Sequence, residues 1–277
     1  MAIIIIEGMD FRKRFVVKKK SFRLSDHDPD DTAGFDDEAV AGEQARKNTL
    51  KLEKLQNVLY AEHKRAVLIV LQGMDAAGKD GTIKHVMSGV NPQGCQVTSF
   101  KQPSQEDLDH DFLWRVHKAA PPRGDIGLFN RSHYEDVLVV RVHNMVPKDV
   151  WSDRYRQIRD FEDMLHQNGV VILKFFLNIS KAEQEKRFEA RQGDPDRNWK
   201  SSEADFAERK FWSQYQEAYQ DALEKTSRSH APWYVIPANH KWFRNMAVSQ
   251  IIVDTIEELH PQYPVLQMAK RPGDKPA

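Results

Sequence analysis

Ala66-Val-Leu-Ile-Val-Leu-Gln72-Gly73-Met-Asp-Ala-Ala-Gly78-Lys79-Asp-Gly-Thr82 decides the fold. The run from Ala66 to Leu71 is rich in β-branched residues and lacks polar/apolar alternation, the pattern of a strand buried on both faces of a parallel sheet. Gly73 to Lys79 then fits G-x-x-x-x-G-K, with a helix expected to begin near Lys79. At such a strand-to-helix turn, backbone N–H groups and the helix dipole converge on one point where an anion can sit. Gly73 and Gly78 permit positive φ and close approach, Lys79 supplies a point charge, and Ala76, Ala77, Asp80, Gly81 and Thr82 complete the cradle. A phosphate chain is the natural ligand. A tight turn with a surface lysine would also satisfy the bare pattern, but the flanking strand and helix argue for phosphate.

Asp80 stands where the pattern expects Ser or Thr, whose hydroxyl ordinarily holds Mg²⁺. Another group must take that place. Asp75 inside the loop and Asp80 at the helix start are the candidates, with Asp75 the favoured metal-binding or catalytic carboxylate.

Downstream the alternation repeats. Cys95 to Phe100, Ile126 to Phe129, Val170 to Leu177 and Trp233 to Ile236 read as further strands. Helices are expected near Gln105 to Lys118, Tyr134 to Val142, Lys148 to Gln167, Lys181 to Arg191, Phe206 to Lys225 and Trp242 to Leu259, with an amphipathic one before the first strand from Gln44 to Ala61. Five strands alternating with helices give an α/β fold, a doubly wound parallel sheet on a P-loop core. The expected division is an N-terminal extension over 1–43, the catalytic domain over 44–264 and a tail over 265–277. The Asp-rich stretch from Ser25 to Glu38 reads as an extended, solvated approach to the core.

Two more clusters carry chemistry. Phe129-Asn130-Arg131-Ser132-His133-Tyr134-Glu135-Asp136 emerges where open α/β sheets bind ligands. Arg131 is suited to bidentate phosphate binding and Asn130 to a nucleotide or metal-bound water, while Glu135 and Asp136 can serve the ligand or simply favour a helix N-terminus. No G-x-S-x-G elbow surrounds Ser132, and His133 reads as structural. Further on, Arg187 and Arg191 are four apart on one helix face, before a Gly193-Asp-Pro-Asp hinge. They read as arginines of a lid over about 181–210, closing on the transferring phosphate, although i,i+4 pairs with Glu183 would also account for them.

The chain has 41 Lys plus Arg against 41 Asp plus Glu, so no excess of positive charge points to nucleic acid as a partner. A single cysteine, Cys95, cannot build a disulfide framework and fits the cytoplasm. No apolar run approaches the roughly 18 residues of a membrane span, and Ala2 to Ile6 is too short for a secretory segment, so no membrane partner is expected.

Gly73 to Thr82, Val-Asn-Pro-x-Gly at 90–94, Phe-x-x-Pro at 100–103, Phe112 to His117, Phe129 to Leu138 and Ala231 to Asn239, in this order, resemble the family-2 polyphosphate kinases from about Phe22 to Pro264. The resemblance implies phosphorylation of nucleotides by inorganic polyphosphate with Mg²⁺, on a P-loop kinase fold with a helical lid, in homodimers or homotetramers. It implies that Asp75 and Lys79 are essential and that Arg131, Arg187 and Arg191 hold phosphates. Many members that prefer nucleoside diphosphates have Asp in a Phe-Asp-Arg segment and Asn-Arg after the tyrosine; here stand Asn130 and Glu135-Asp136. These departures resemble the subgroup accepting both AMP and ADP, so ADP and ATP are the expected products. An ATP-dependent kinase on the same core and a nucleotide-sensing module are the rival readings; the sensor is disfavoured because the sequence has no Asn-Lys-x-Asp base-reading segment and no switch-type Asp-x-x-Gly after the second strand.

Overall fold

A computed structural model describes residues 9–18, 22–196, 198 and 203–265. The isoleucine-rich start from Ala2 to Ile6, the Arg197 and Trp199-Lys200 end of the expected hinge, and the tail from Lys270 lie outside the described residues.

β1 (Ala66–Gln72) is buried along its whole length, as its unbroken apolar run requires. It pairs in parallel with β3 (Ile126–Asn130) on one side and β4 (Val170–Asn178) on the other. With β2 (Cys95–Ser99) and β5 (Trp233–Pro237) outermost, the sheet order is β2-β3-β1-β4-β5, every pairing parallel. Each strand ends within one residue of its expected limit. The chain runs to one side of β1 for β2 and β3 and to the other for β4 and β5, which opens a crevice beyond the carboxyl ends of the strands at β1.

Helices cover both faces. The N-terminal helix α1 (Phe11–Phe15) is followed by α2 (Glu38–Glu62), which packs along the last helix. After β1 comes α3 (Lys79–Val86), and the strand-to-strand segments carry α4 (Gln105–Leu108), α5 (Trp114–Lys118), α6 (Val139–Val142) and α7 (Lys148–Gln167). Beyond β4 lie α8 (Lys181–Gln192), α9 (Glu203–Glu208), α10 (Trp212–Thr226) and α11 (Lys241–Glu258). One layer is α2, α3 and α11; α7 packs with α10 in the other.

Departures from the sequence reading have local causes. α2 starts at Glu38 rather than Gln44, because Asp37 accepts from the N–H groups of Ala39 and Val40 at 2.7 and 3.3 Å and caps a first turn too small-residued to show periodicity. The expected helix from Gln105 to Lys118 is two, broken where the Asp111 side chain accepts from Leu113 N–H at 2.9 Å. The stretch from Tyr134 begins as a 3-10 turn, His133–Val137, capped by Ser132. The one from Phe206 is interrupted by a 3-10 turn at Arg209–Phe211. Ser25 to Glu38 is not a free approach: His27 O accepts from Asn178 at 2.7 Å, Pro29 O accepts from Asn239 N–H at 3.1 Å, and Phe35 is buried.

Candidate active site

The turn between β1 and α3 is held by positive φ at Gly73 (156°), Ala76 (61°) and Gly78 (102°). Gly73 also tolerates no side chain, since a Cβ there would lie 2.8 Å from Leu177 O. Gly78 caps α3 with backbone alone, leaving the first-turn N–H groups of Lys79, Asp80 and Gly81 without intrahelical acceptors. They form the expected anion cradle. Thr82 is differently employed: its hydroxyl donates to Gly78 O at 3.1 Å and its side chain is buried, so it stabilises the turn.

Lys79 is buried, and its Nζ donates to Gly73 O at 2.7 Å and Met74 O at 3.3 Å. Burial pulls its ammonium below the ordinary lysine range, helped by Arg131 and opposed by Asp75, Glu135 and Asp80. These are the charges expected from the two separate motifs, so the fold brings the loop and the segment after β3 together. Two cross-links join them. Arg131 Nη2 donates to Asp75 Oδ1 at 2.7 Å, and Asn130 Nδ2 donates to Asp80 Oδ1 at 2.7 Å. Arg131 has φ 60°, a conformation costly for a non-glycine residue, while its own N–H pairs with Leu71 O at 3.1 Å; the strain turns its side chain toward the loop.

Glu135 belongs to the same group. Burial raises its carboxyl above the usual range and Asp75 adds like-charge repulsion, while Arg131, Lys79 and a hydrogen bond from Gln72 pull it down. Asp136 does not join it. Its carboxylate accepts from Arg154 Nη1 on α7 at 2.9 Å, and burial lifts it to about 6 against the pull of Arg154 and Arg115. The buried His133 accompanies Tyr134 and Lys174 around Glu162, at 3.3, 2.8 and 2.6 Å, and so serves to anchor the segment.

The expected lid arginines separate in role. Arg187 is the inner one: its Nη1 donates to Ala76 O (3.0 Å) and Ala77 O (3.1 Å), its Nη2 to Ala238 O (2.6 Å) and Asn239 O (2.8 Å), and its Nε to Glu183 (2.8 Å). All its N–H groups are thus engaged, and it braces the loop from behind instead of standing open to a phosphate. Arg191, one turn on, lies over the Phe188 ring at 5.5 Å. Two further residues touch the loop from outside any of these motifs. Buried Gln184 donates to Asp75 O at 2.9 Å, and buried Arg244 donates to Ala77 O at 3.0 Å. Neither lies in a phosphate-binding pattern; the i,i+3 spacing of Gln184 to Arg187 was the only cue for the first.

Among the described residues, no cluster of three or more His, Cys, Asp or Glu side chains is arranged to hold a metal by itself. Asp75 and Asp80 do suit a hard cation that draws its other ligands from water and phosphate. A cavity of about 660 Å³ lined by Arg12, Lys13, Arg228, Tyr234 and Glu258 shares none of the loop residues. No described helix is long and apolar enough to cross a membrane.

A family model described as Polyphosphate kinase 2 matches residues 35–264. An AMP/ADP-polyphosphate phosphotransferase of Meiothermus ruber is 53% identical over 248 residues, 88% of this chain and 91% of that protein. An ADP-polyphosphate phosphotransferase of Rhodopseudomonas palustris is 51% identical over 241 residues, 83% of each chain. The crystal structure of Polyphosphate Kinase 2 from Arthrobacter aurescens TC1 superposes with a TM-score of 0.92 at 41% identity, covering 95% of this chain and 94% of that one.

Proposed function

This chain belongs to the polyphosphate kinase 2 family, and from that premise we propose that it transfers the terminal phosphoryl group of inorganic polyphosphate to AMP and to ADP, giving ADP and ATP. The observation that carries the reading is the pair of cross-links from Asp75 to Arg131 and from Asp80 to Asn130, which set a phosphate-binding loop against a second polar segment at the crevice beside β1. One segment holds the donor chain and the other the acceptor phosphate.

An acceptor phosphate oxygen attacks the terminal phosphorus in line; the new P–O bond forms as the bridging P–O bond breaks, and the chain leaves one unit shorter. The acceptor oxygen is already ionised at neutral pH, so no general base is required. Positioning and charge neutralisation supply the rate. The cradle amides and Lys79 fix the donor, Arg131 orients the acceptor phosphate, and Arg187 keeps the loop in shape; Arg191, one turn further along α8, is the other phosphate-holding arginine that the resemblance implies. Glu135, whose carboxylate feels both Arg131 and Lys79, offsets part of their positive charge at the site. Mg²⁺ is the cofactor that fits Asp75 with Asp80, and when bound it neutralises charge between the phosphates. A cytoplasmic homo-oligomer with a lid over 181–210 completes the proposal.

The relatives named for AMP/ADP and for ADP stand at nearly equal identity, so the acceptor is the point to measure. Purified protein with Mg²⁺ and long-chain polyphosphate is expected to form ADP and ATP from AMP, and ATP from ADP. Lys79→Ala is expected to lower kcat/KM at least about a hundredfold. Turnover with ADP alone would refute the acceptor range; turnover only with ATP as donor would refute the donor.

A further inference from the structure

Ala77 O accepts two guanidinium groups, Arg187 Nη1 at 3.1 Å and Arg244 Nη1 at 3.0 Å. Two like charges are thus brought together behind the loop. Arg187 is balanced by Glu183 at 2.8 Å, whereas among the described residues Arg244 pairs with the Ala77 carbonyl and the neutral Asn245 side chain, which accepts at 3.2 and 2.9 Å. Arg244 is only 2% exposed, and burial beside Arg187 draws its guanidinium down to about 9. Its guanidinium also fills the space that a Cβ at Gly78 would enter, adding to the positive φ of 102° as a reason for glycine there.

The geometry has a consequence for the amide on the other side. No peptide bond among the described residues is cis, so Ala77 C=O and Gly78 N–H point in opposite directions from one rigid plane. Pinning that carbonyl toward Arg187 and Arg244 aims the Gly78 N–H away from them, toward the mouth of the cradle. Hydrogen bonds from charged donors also polarise the peptide and strengthen that N–H as a donor. A buried cation without a carboxylate is expensive unless a ligand supplies the missing charge.

We propose that Arg244 is a positioning residue for the donor: with Arg187 it fixes the Ala77–Gly78 peptide so that the Gly78 amide faces the phosphate chain, and the bound polyanion compensates its charge. This rests on the reading of the loop as the polyphosphate site. It assigns donor binding partly to the first turn of α11, far in sequence from the loop.

The test is Arg244→Met and Arg244→Lys, with Asn245→Ala releasing the side-chain anchor while keeping the charge. Each is assayed for kcat and KM with polyphosphate and melted with and without tripolyphosphate. Arg244→Met is expected to raise the KM for polyphosphate roughly tenfold or more, with a smaller change in kcat. Its ligand-free melting temperature should match or exceed that of the wild type, and most of the tripolyphosphate-induced rise should vanish. Arg244→Lys should recover part of both, and Asn245→Ala should shift KM in the same direction by less. Variants that melt lower without ligand yet keep the wild-type KM and ligand-induced rise would overturn the proposal and leave Arg244 a packing residue. If Arg244→Met does not fold, unchanged KM and ligand response in both Arg244→Lys and Asn245→Ala would overturn it equally. Wild-type protein that turns over ATP but neither binds nor uses polyphosphate would instead refute the donor reading, and the same variants would then be judged by their KM for ATP.

Discussion

Asn130 donates to Asp80 at 2.7 Å, and the chemistry of that contact changes sign if Asn130 becomes aspartate. Two carboxylates in contact repel unless a divalent cation lies between them. Asn130→Asp is therefore expected to make Mg²⁺ raise the melting temperature more than in the wild type, and to shift acceptor preference from AMP toward ADP, as the Phe-Asp-Arg pattern implies. Equal Mg²⁺ responses and an unchanged AMP to ADP ratio would show that this contact sets neither property. Asp136 gives a second residue-level test. Burial raises its carboxyl to about 6 despite Arg154 at 2.9 Å, so the folded protein binds that proton more readily than the unfolded chain does. Its contribution to stability is accordingly present below the ordinary aspartate range and lost as pH rises through 6. The stability of wild type relative to Asp136→Asn should increase on going from pH 7 to pH 4, by up to about 3 kcal/mol. Denaturant melts of both proteins across that range check it; parallel curves would contradict it.

β4 and α7 meet at a buried ion pair, Lys174 with Glu162 at 2.6 Å, and Lys174 also donates to Tyr134 Oη at 2.9 Å and Thr226 O at 3.0 Å. This network pins the segment after β3 to the second helical layer, and so sets where Arg131 begins. Burial alone would raise the Glu162 carboxyl, but Lys174 and His133 carry it below its usual range. The stability it contributes is present above the ordinary glutamate range and is lost as pH falls through the lowered value. Lys174→Met leaves a buried carboxylate unpaired and is expected to cost about 3–5 kcal/mol. Lys174→Met with Glu162→Leu should cost less than the single change, as seen in thermal melts; a double variant worse than the sum of the singles would mean that the hydrogen bonds outweigh the charge pairing. Such a network is also where sequence reading stops. The strands were legible because an unbroken apolar run such as Ala66 to Leu71 leaves few alternatives, and the loop because its glycines and lysine sit at fixed spacing. Lys174 in an apolar strand gives no sign that its partner is Glu162, and Arg244 gives none that it reaches Ala77, because both contacts depend on how helices pack over the sheet. Arg187 was found by helical spacing, yet its partners are backbone carbonyls, which carry no side-chain signature.

At the scale of the whole molecule the N-terminal segment needs a different account from the one its composition suggested. Its acidic, Pro- and Gly-broken stretch reads as an extension, but Phe11 and Phe15 are buried and cluster with Phe35 and Phe243, their ring centroids 5.8 to 6.3 Å apart. Val17 N–H donates to Trp233 O at 2.8 Å, so residues 16–17 cover the outer edge of β5, which would otherwise present unpaired backbone groups. Phe243 is the neighbour of Arg244 on the first turn of α11, so the same aromatic cluster seats the helix that reaches the phosphate loop. Removing residues 1–17 takes away two buried phenylalanines worth about 1.5–3 kcal/mol each and uncovers a strand edge. The truncated protein is expected to melt well below the full chain and to aggregate at lower temperature. Phe11→Ala, which leaves the edge covered, should lower the melting temperature without the aggregation. Below its melting point the truncated protein should show a raised KM for polyphosphate before any loss in kcat, since α11 loosens while Lys79 and Arg131 stay in place. A truncated chain with the melting temperature and KM of the full one would mean that residues 1–17 are a dispensable part of the N-terminal extension.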